Sequence, residues 1–193
     1  MPNKEDLRVV KTRRGIEGAF MELLKEHSFE QITVRQLLEH ALISKGTFYA
    51  HYLDKYDLAE KIAFATLQEF RLGIQERMAA TIEGSNREAI MSSLLRTLTT
   101  TIPRLNLLKK VRTENLDVEK EMRAIIAGEY LDFQKRRGTK LKHSDLRAHI
   151  ITTFILGFLE WQRLHPFENS LDEYVKEISL TVTEYDEWIK KLL

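Results

Sequence analysis

At 193 residues, with 43% hydrophobic and 31% charged residues, the chain has room for one large or two small domains and is too apolar to be intrinsically disordered. It contains no cysteine, which excludes disulfides and thiolate metal sites and suits a reducing compartment. The formal net charge of +1 lacks the overall basic footprint of a general nucleic-acid binder. Only 8 Gly and 3 Pro interrupt the chain, and the fold class expected is all-α. The longest apolar run, Phe154 to Leu159, is too short to span a bilayer. The first residues carry no signal-peptide core, so a cytoplasmic location is expected.

The N-terminal segment is locally basic: Lys4, Arg8, Lys11, Arg13 and Arg14 stand against Glu5 and Asp6. From residue 12 to 27, Ile16, Ala19, Phe20, Leu23 and Leu24 recur at helical spacing and predict a first helix with one apolar stripe. Phe29 and Ile32 anchor the connection that follows. Thr33 with Gln36 forms a capping box, so a second, short helix should begin there, with Val34, Leu37, Leu38 and Ala41 on its apolar face. Ser44 can cap a third helix over KGTFYAHY. Asp54 can cap a fourth that runs from Lys55 towards Met78, with Leu58, Ile62, Phe64, Ala65 and Leu67 in its stripe.

Two short helices joined by a tight turn and braced by a longer helix form a helix-turn-helix pattern. In the third helix Phe48 and Tyr52, at i and i+4, share a face and can pack on Ile16, Phe20, Leu37 and Ile43. Lys45, Thr47, Tyr49 and His51 are then left on or near the exposed faces.

Further on, the Ser85–Glu88 box opens a helix through Ile90, Leu94, Leu95 and Leu98, and Pro103 starts another after a break. Asp117 caps a helix through Met122, Ile125, Ile126, Tyr130 and Phe133 that ends near Gly138. Ser144 or Asp145 begins a strongly apolar helix stopped by Pro166. Ser170 and Glu173 open a last one with Leu171, Tyr174, Val175, Ile178, Val182, Tyr185 and Trp188 along one side. There is no internal repeat and no flexible linker. The expected division is a helix-turn-helix domain at 1–53 and a helical regulatory and dimerisation domain at 54–193, joined rigidly through the fourth helix.

Residues 8 to 60 resemble the TetR family of transcriptional regulators. KTRRGIEGAFMELL is similar to the family's first helix, FEQITVRQLLEHA to its second, and ISKGTFYAHYLDKYDL to its recognition helix and the start of helix four. The chain departs from the family pattern at Leu42, where many members have Gly in the turn, and at Ala50, where a larger, often basic residue is common. The resemblance implies a recognition helix entering the major groove, with Lys45, Thr47 and Tyr49 on its reading face. Gly46 would let that helix come close to DNA. Tyr49, His51 and Lys55 are similar to positions that grip phosphates. Thr33 would combine capping with a phosphate contact, Arg35 lies on the DNA side beside it, and Arg14 reaches the flanking backbone.

The resemblance also implies a homodimer on a palindromic double-stranded operator, with recognition helices about 34–36 Å apart. The last two helices would pair with their mates. The dimer candidates are Gly157, Phe158, Trp161, Tyr174, Ile178 and Tyr185. A small-molecule inducer is expected inside the second domain, and Phe64, Leu67, Tyr130, Phe133, His149 and Phe154 are candidates to line its pocket. A switch of the DNA-competent population from 99:1 to 1:99 would need about 5.5 kcal/mol of differential affinity. The expected output is repression.

Other classes of function leave weaker traces. The sequence has no His-Glu-x-x-His, no phosphate-binding glycine loop and no nucleophile elbow, so no enzyme is expected, and no cofactor or metal. Asp145 and His149 have the spacing of half a metal site and no more. The alternative reading is a TetR-like co-activator that binds a partner protein instead of DNA. Such a chain would be expected to lose the recognition face, whereas Lys45, Gly46, Thr47, Tyr49 and Lys55 are all present.

Overall fold

A computed structural model describes residues 4–83, 93, 94, 96–138, 142–165 and 171–192. Helix α1 (Lys4–Glu26) begins about three turns before the apolar stripe that starts at Ile16, because nothing in that basic segment breaks a helix. A single 3-10 turn (Phe29–Gln31) leads to α2 (Val34–Ala41), α3 (Lys45–Tyr49) and the long α4 (Lys55–Glu83). Ile16, Phe20, Leu24, Phe29, Ile32, Leu37, Phe48, Leu58 and Ile62 form the interior of this unit. Phe20 meets Phe29 edge-on at 6.2 Å. The first two turns of α4 therefore belong physically to the core of the helix-turn-helix unit.

The buried face of α4 is Leu58, Ala59, Ile62, Ala63, Thr66, Leu67, Phe70 and Ile74. Phe64 and Ala65 are not on it: both are exposed. Two residues beyond Ile62, Phe64 lies roughly 200° around the helix, on the opposite side. Further along, Gly73 allows a close approach, since a Cβ there would stand 2.6 Å from the Thr97 Oγ1.

The break expected before Pro103 is instead a wide π turn (Thr97–Thr101) that runs straight into α5 (Ile102–Leu108). Proline at the second residue of α5 has no N–H to donate backwards, and the widened turn accommodates that loss without unwinding the chain. A two-residue antiparallel ladder follows, which the all-helical expectation did not include. β1 (Arg112–Thr113) pairs with β2 (Leu116–Asp117), Arg112 opposite Asp117 and Thr113 opposite Leu116. Strands this short carry no readable alternation.

Asp117 then caps α6 (Val118–Arg136), its Oδ1 accepting the Lys120 N–H at 3.0 Å. Gly138, at φ +67, follows the end of the helix in the left-handed conformation that glycine favours. Helix α7 (Ser144–Leu164) and α8 (Leu171–Leu192) complete the order. Helix α6 packs on both α4 and α7, which makes the second core. The Ser85–Glu88 box, Ile90 and Ser170 lie outside the described residues, as do the side chains of Val175, Val182 and Tyr185. No helix among the described residues is long and apolar enough to cross a membrane.

Candidate nucleic-acid interface

The helix-turn-helix is built by reciprocal caps. The Gln36 N–H donates to Thr33 Oγ1 at 3.3 Å, and the Thr33 N–H donates to Gln36 Oε1 at 2.8 Å. Both ends of the box are thereby satisfied, and α2 starts at a fixed point. Its last residue is followed by Leu42 at φ 54 and ψ 45, a left-handed conformation that a side chain with a Cβ adopts only at a cost. Leu42 is 90% exposed, so it repays none of that cost by packing. Ser44 then caps α3, accepting the Thr47 N–H at 3.1 Å.

Helix α3 is shorter than KGTFYAHY and ends at Tyr49. Its inward face is fixed by Phe48, fully buried, and by Tyr52 just beyond the helix. The Tyr52 hydroxyl donates to Glu17 Oε1 at 3.1 Å. Burial, then the nearby Glu17 charge, push the Tyr52 phenol well above its ordinary range, so it remains a neutral donor. Facing outward are Lys45, Gly46, Tyr49 and Ala50, with Thr47 and His51 half-buried. The Tyr49 ring stands edge-on to Phe48 at 5.4 Å, and the Lys45 Nζ lies 5.9 Å from the Tyr49 ring centre. Lys45 and Tyr49 thus form one exposed patch one helical turn apart, seated on a rigid core residue.

The remaining polar candidates divide into free and engaged groups. Arg14 is exposed on α1. The Arg35 side chain is 88% exposed and donates through Nε to Glu39 Oε1 at 2.9 Å. Lys55 is different. Its Nζ donates to the carbonyls of Phe29, Glu30 and Ile32 at 3.0, 3.1 and 2.8 Å, and lies over the Phe29 ring at 4.8 Å. An ammonium has three N–H donors, and here all three are used. Asp54 caps α4 by accepting the N–H groups of Tyr56 and Asp57, both at 2.8 Å. The segment behind α3 is therefore held at both ends, and Lys55 ties the start of α4 to the α1–α2 connection.

Residues 18–62 match the family described as bacterial regulatory proteins, tetR family. The N-terminal helix-turn-helix unit is thus of the tetR-family type. A search of curated proteins gives no match. Among solved structures the chain is similar to Lin0861 from Listeria innocua, at 19% identity over 96% of each chain with a TM-score of 0.57. It is similar to the reduced form of NemR from E. coli, at 15% identity over 86% of this chain and 95% of that one, TM-score 0.51. The SmeT–triclosan complex matches at 15% identity over 80% of this chain and 81% of that one, TM-score 0.52. At these identities the likeness is one of fold. TetR-family regulators are in general non-enzymatic, and no cluster of three or more potential metal ligands occurs among the described residues.

In the C-terminal part of the chain, the residues expected to line a pocket sit in different environments. Leu67 is part of the core, Tyr130 and Phe133 are half-buried, and Phe64, His149 and Phe154 are exposed. The dimer candidates are more uniform. Gly157 and Trp161 are exposed, and Phe158, Tyr174 and Ile178 are half-buried. Trp161 stacks on His165 at 4.9 Å and meets Tyr174 at 5.8 Å, linking α7 to α8. Sequence reading did not single out Gly73, nor the residues at and before the hairpin that reach α1 and α4. Lys110 Nζ donates to the Leu24 carbonyl at 3.0 Å, and Thr113 Oγ1 donates to Glu60 Oε1 at 2.6 Å. No motif marks either contact, since each joins distant parts of the chain.

Proposed function

We propose that this cytoplasmic regulator represses transcription by binding a palindromic operator as a homodimer, and that a small molecule in its second domain releases it. The observation that carries the reading is the outward patch of α3. Lys45, Gly46, Thr47 and Tyr49 are presented by a helix locked from behind by Phe48 and Tyr52 and capped by Ser44. In this reading Lys45 and Thr47 meet base edges or phosphates, and Tyr49 and His51 meet the backbone. Thr33, Arg35 and Arg14 add flanking phosphate contacts. Lys55 serves the same surface by holding it in place, because its donors are already filled.

Dimerisation is supported by what α7 and α8 leave exposed. Ile150, Phe154, Trp161, Leu164, Leu180 and Trp188 are each more than two-fifths exposed, a larger apolar area than a lone surface needs. In this reading the second domain begins at α4, although Leu58 and Ile62 in its first turns pack into the helix-turn-helix core. The SmeT–triclosan complex, a chain of the same fold, is in keeping with an inducer of modest size.

The test is a gel-shift titration on the DNA upstream of the protein's own gene, at low and moderate salt. Lys45→Ala and Tyr49→Ala should each weaken specific binding by about tenfold or more. Lys45→Ala should also reduce the salt dependence if its partner is a phosphate. Failure to bind any duplex at low salt would eliminate the operator reading and leave the partner-protein alternative.

A further inference from the structure

A cleft of about 310 Å³ lies where the β1–β2 hairpin meets the first turns of α6, and four cations line it: Lys109, Arg112, Lys120 and Arg123. Its two acids, Asp117 and Glu119, leave the lining two positive charges in excess, and each already holds a partner. Asp117 caps α6 through the Lys120 N–H, and Glu119 Oε1 pairs with Arg123 at 2.8 Å. Lys109, Arg112 and Lys120 make no ion pair within 4.0 Å among the described residues. Glu160, whose carboxylate feels the Lys109 charge, is itself paired with Arg163 at 2.7 Å. Three unpaired cations facing one concavity repel one another, and a concave low-dielectric wall strengthens their field.

The cleft is also rigid. Val111 and Val118, both buried, form part of its wall. The Lys110 and Thr113 tethers hold the hairpin to α1 and α4. The cations are therefore positioned before any ligand arrives, which lowers the ordering cost of binding one. A volume near 310 Å³ is at the lower end for small-molecule sites and suits a compact ligand.

We propose that this cleft binds a small, free polyanion carrying a phosphate or diphosphate group, held by Arg112, Lys120 and Lys109. The site is separate from α3 and does not depend on the DNA-binding reading. It is tested by calorimetric titration of the full chain with inorganic pyrophosphate, without DNA, at low and moderate salt. One equivalent per chain is expected to bind, more weakly as salt rises. The double substitution Arg112→Ala/Lys120→Ala should weaken it by at least about tenfold, since each charged hydrogen bond is worth roughly that. The double substitution Arg14→Ala/Lys45→Ala, on the DNA-facing surface, should leave it unchanged. Absence of saturable binding at low salt overturns the proposal. So does a loss in the Arg14/Lys45 variant as large as that in the cleft variant, because the anion would then be sitting on the α3 surface.

Discussion

Leu42 sits in a left-handed conformation while nine-tenths exposed, so its Cβ costs stability and its side chain returns none. Leu42→Gly should raise stability by about 1 kcal/mol, the relief of the left-handed strain less the extra unfolded-state freedom of glycine. Chemical denaturation reads this directly, and DNA affinity should not move. Gly46 is the converse case. A Cβ there would find only Ser44 Oγ, at an ordinary 3.8 Å, so the free protein has no need of glycine at that place. Gly46→Ala should leave stability unchanged or raise it by up to about 1 kcal/mol, as alanine favours a helix. Its operator affinity should nevertheless fall in the gel shift, because the space that the methyl fills is the space DNA would occupy. Equal affinity for the two proteins would remove Gly46 from the interface. Lys55 completes the set. Lys55→Ala removes the donor shared by three backbone carbonyls, of which, among the described residues, only that of Phe29 keeps another, the Ile32 N–H, and should lower stability by about 1–2 kcal/mol in denaturant titration.

At the scale of elements, the N-terminal half was readable because its signals are local. The Thr33–Gln36 box, the Ser44 and Asp54 caps and the i, i+4 pair Phe48/Tyr52 each use residues a few positions apart. What escaped sequence reading is non-local or too short. Phe64 is apolar and suits the α4 stripe by composition, yet the angular position of Ile62 and Leu67 puts it on the far side. The hairpin at 112–117 has two residues per strand, a single period of alternation and too little to form a pattern. The close crossing of α4 with the π turn depends on Gly73 meeting Thr97, residues 24 positions apart in the sequence. Thr97 is buried and bonded to the Ser93 carbonyl at 3.0 Å, so it has little room to yield. Gly73→Ala is accordingly expected to cost about 1–3 kcal/mol, read as a lower midpoint in thermal or denaturant unfolding. No change would mean that α4 can shift away from the turn.

For the molecule as a whole, the sequence spoke clearly about the DNA-facing end and faintly about the other. A helix-turn-helix must satisfy one partner of fixed geometry, and that constraint concentrates recognisable residues in a short span. The regulatory helices need only bury apolar area, which many sequences do equally well, so Leu67, Tyr130 and Phe154 look alike on paper whether they line a pocket, a core or a partner. The dimer reading makes its own prediction. Trp161→Glu puts a charge into the exposed aromatic group of α7 and α8. It should shift the mass measured by light scattering from dimer to monomer at equal helicity, and reduce operator binding with it, since one recognition helix makes too few contacts alone. Retention of the dimer mass would move the interface elsewhere.

The carbonyl cage around Lys55 also sets how the lysines of this protein meet an electrophile. An acylating reagent needs a free amine with its lone pair available, and Lys55 must break three hydrogen bonds to offer one, while Lys45 stands open to solvent. Under brief acetylation, mass spectrometry should find Lys45 labelled early and Lys55 late. The Lys45 label would be protected by DNA. The Lys55 label would instead report the opening of the N-terminal domain itself, a built-in gauge of whether that domain is folded.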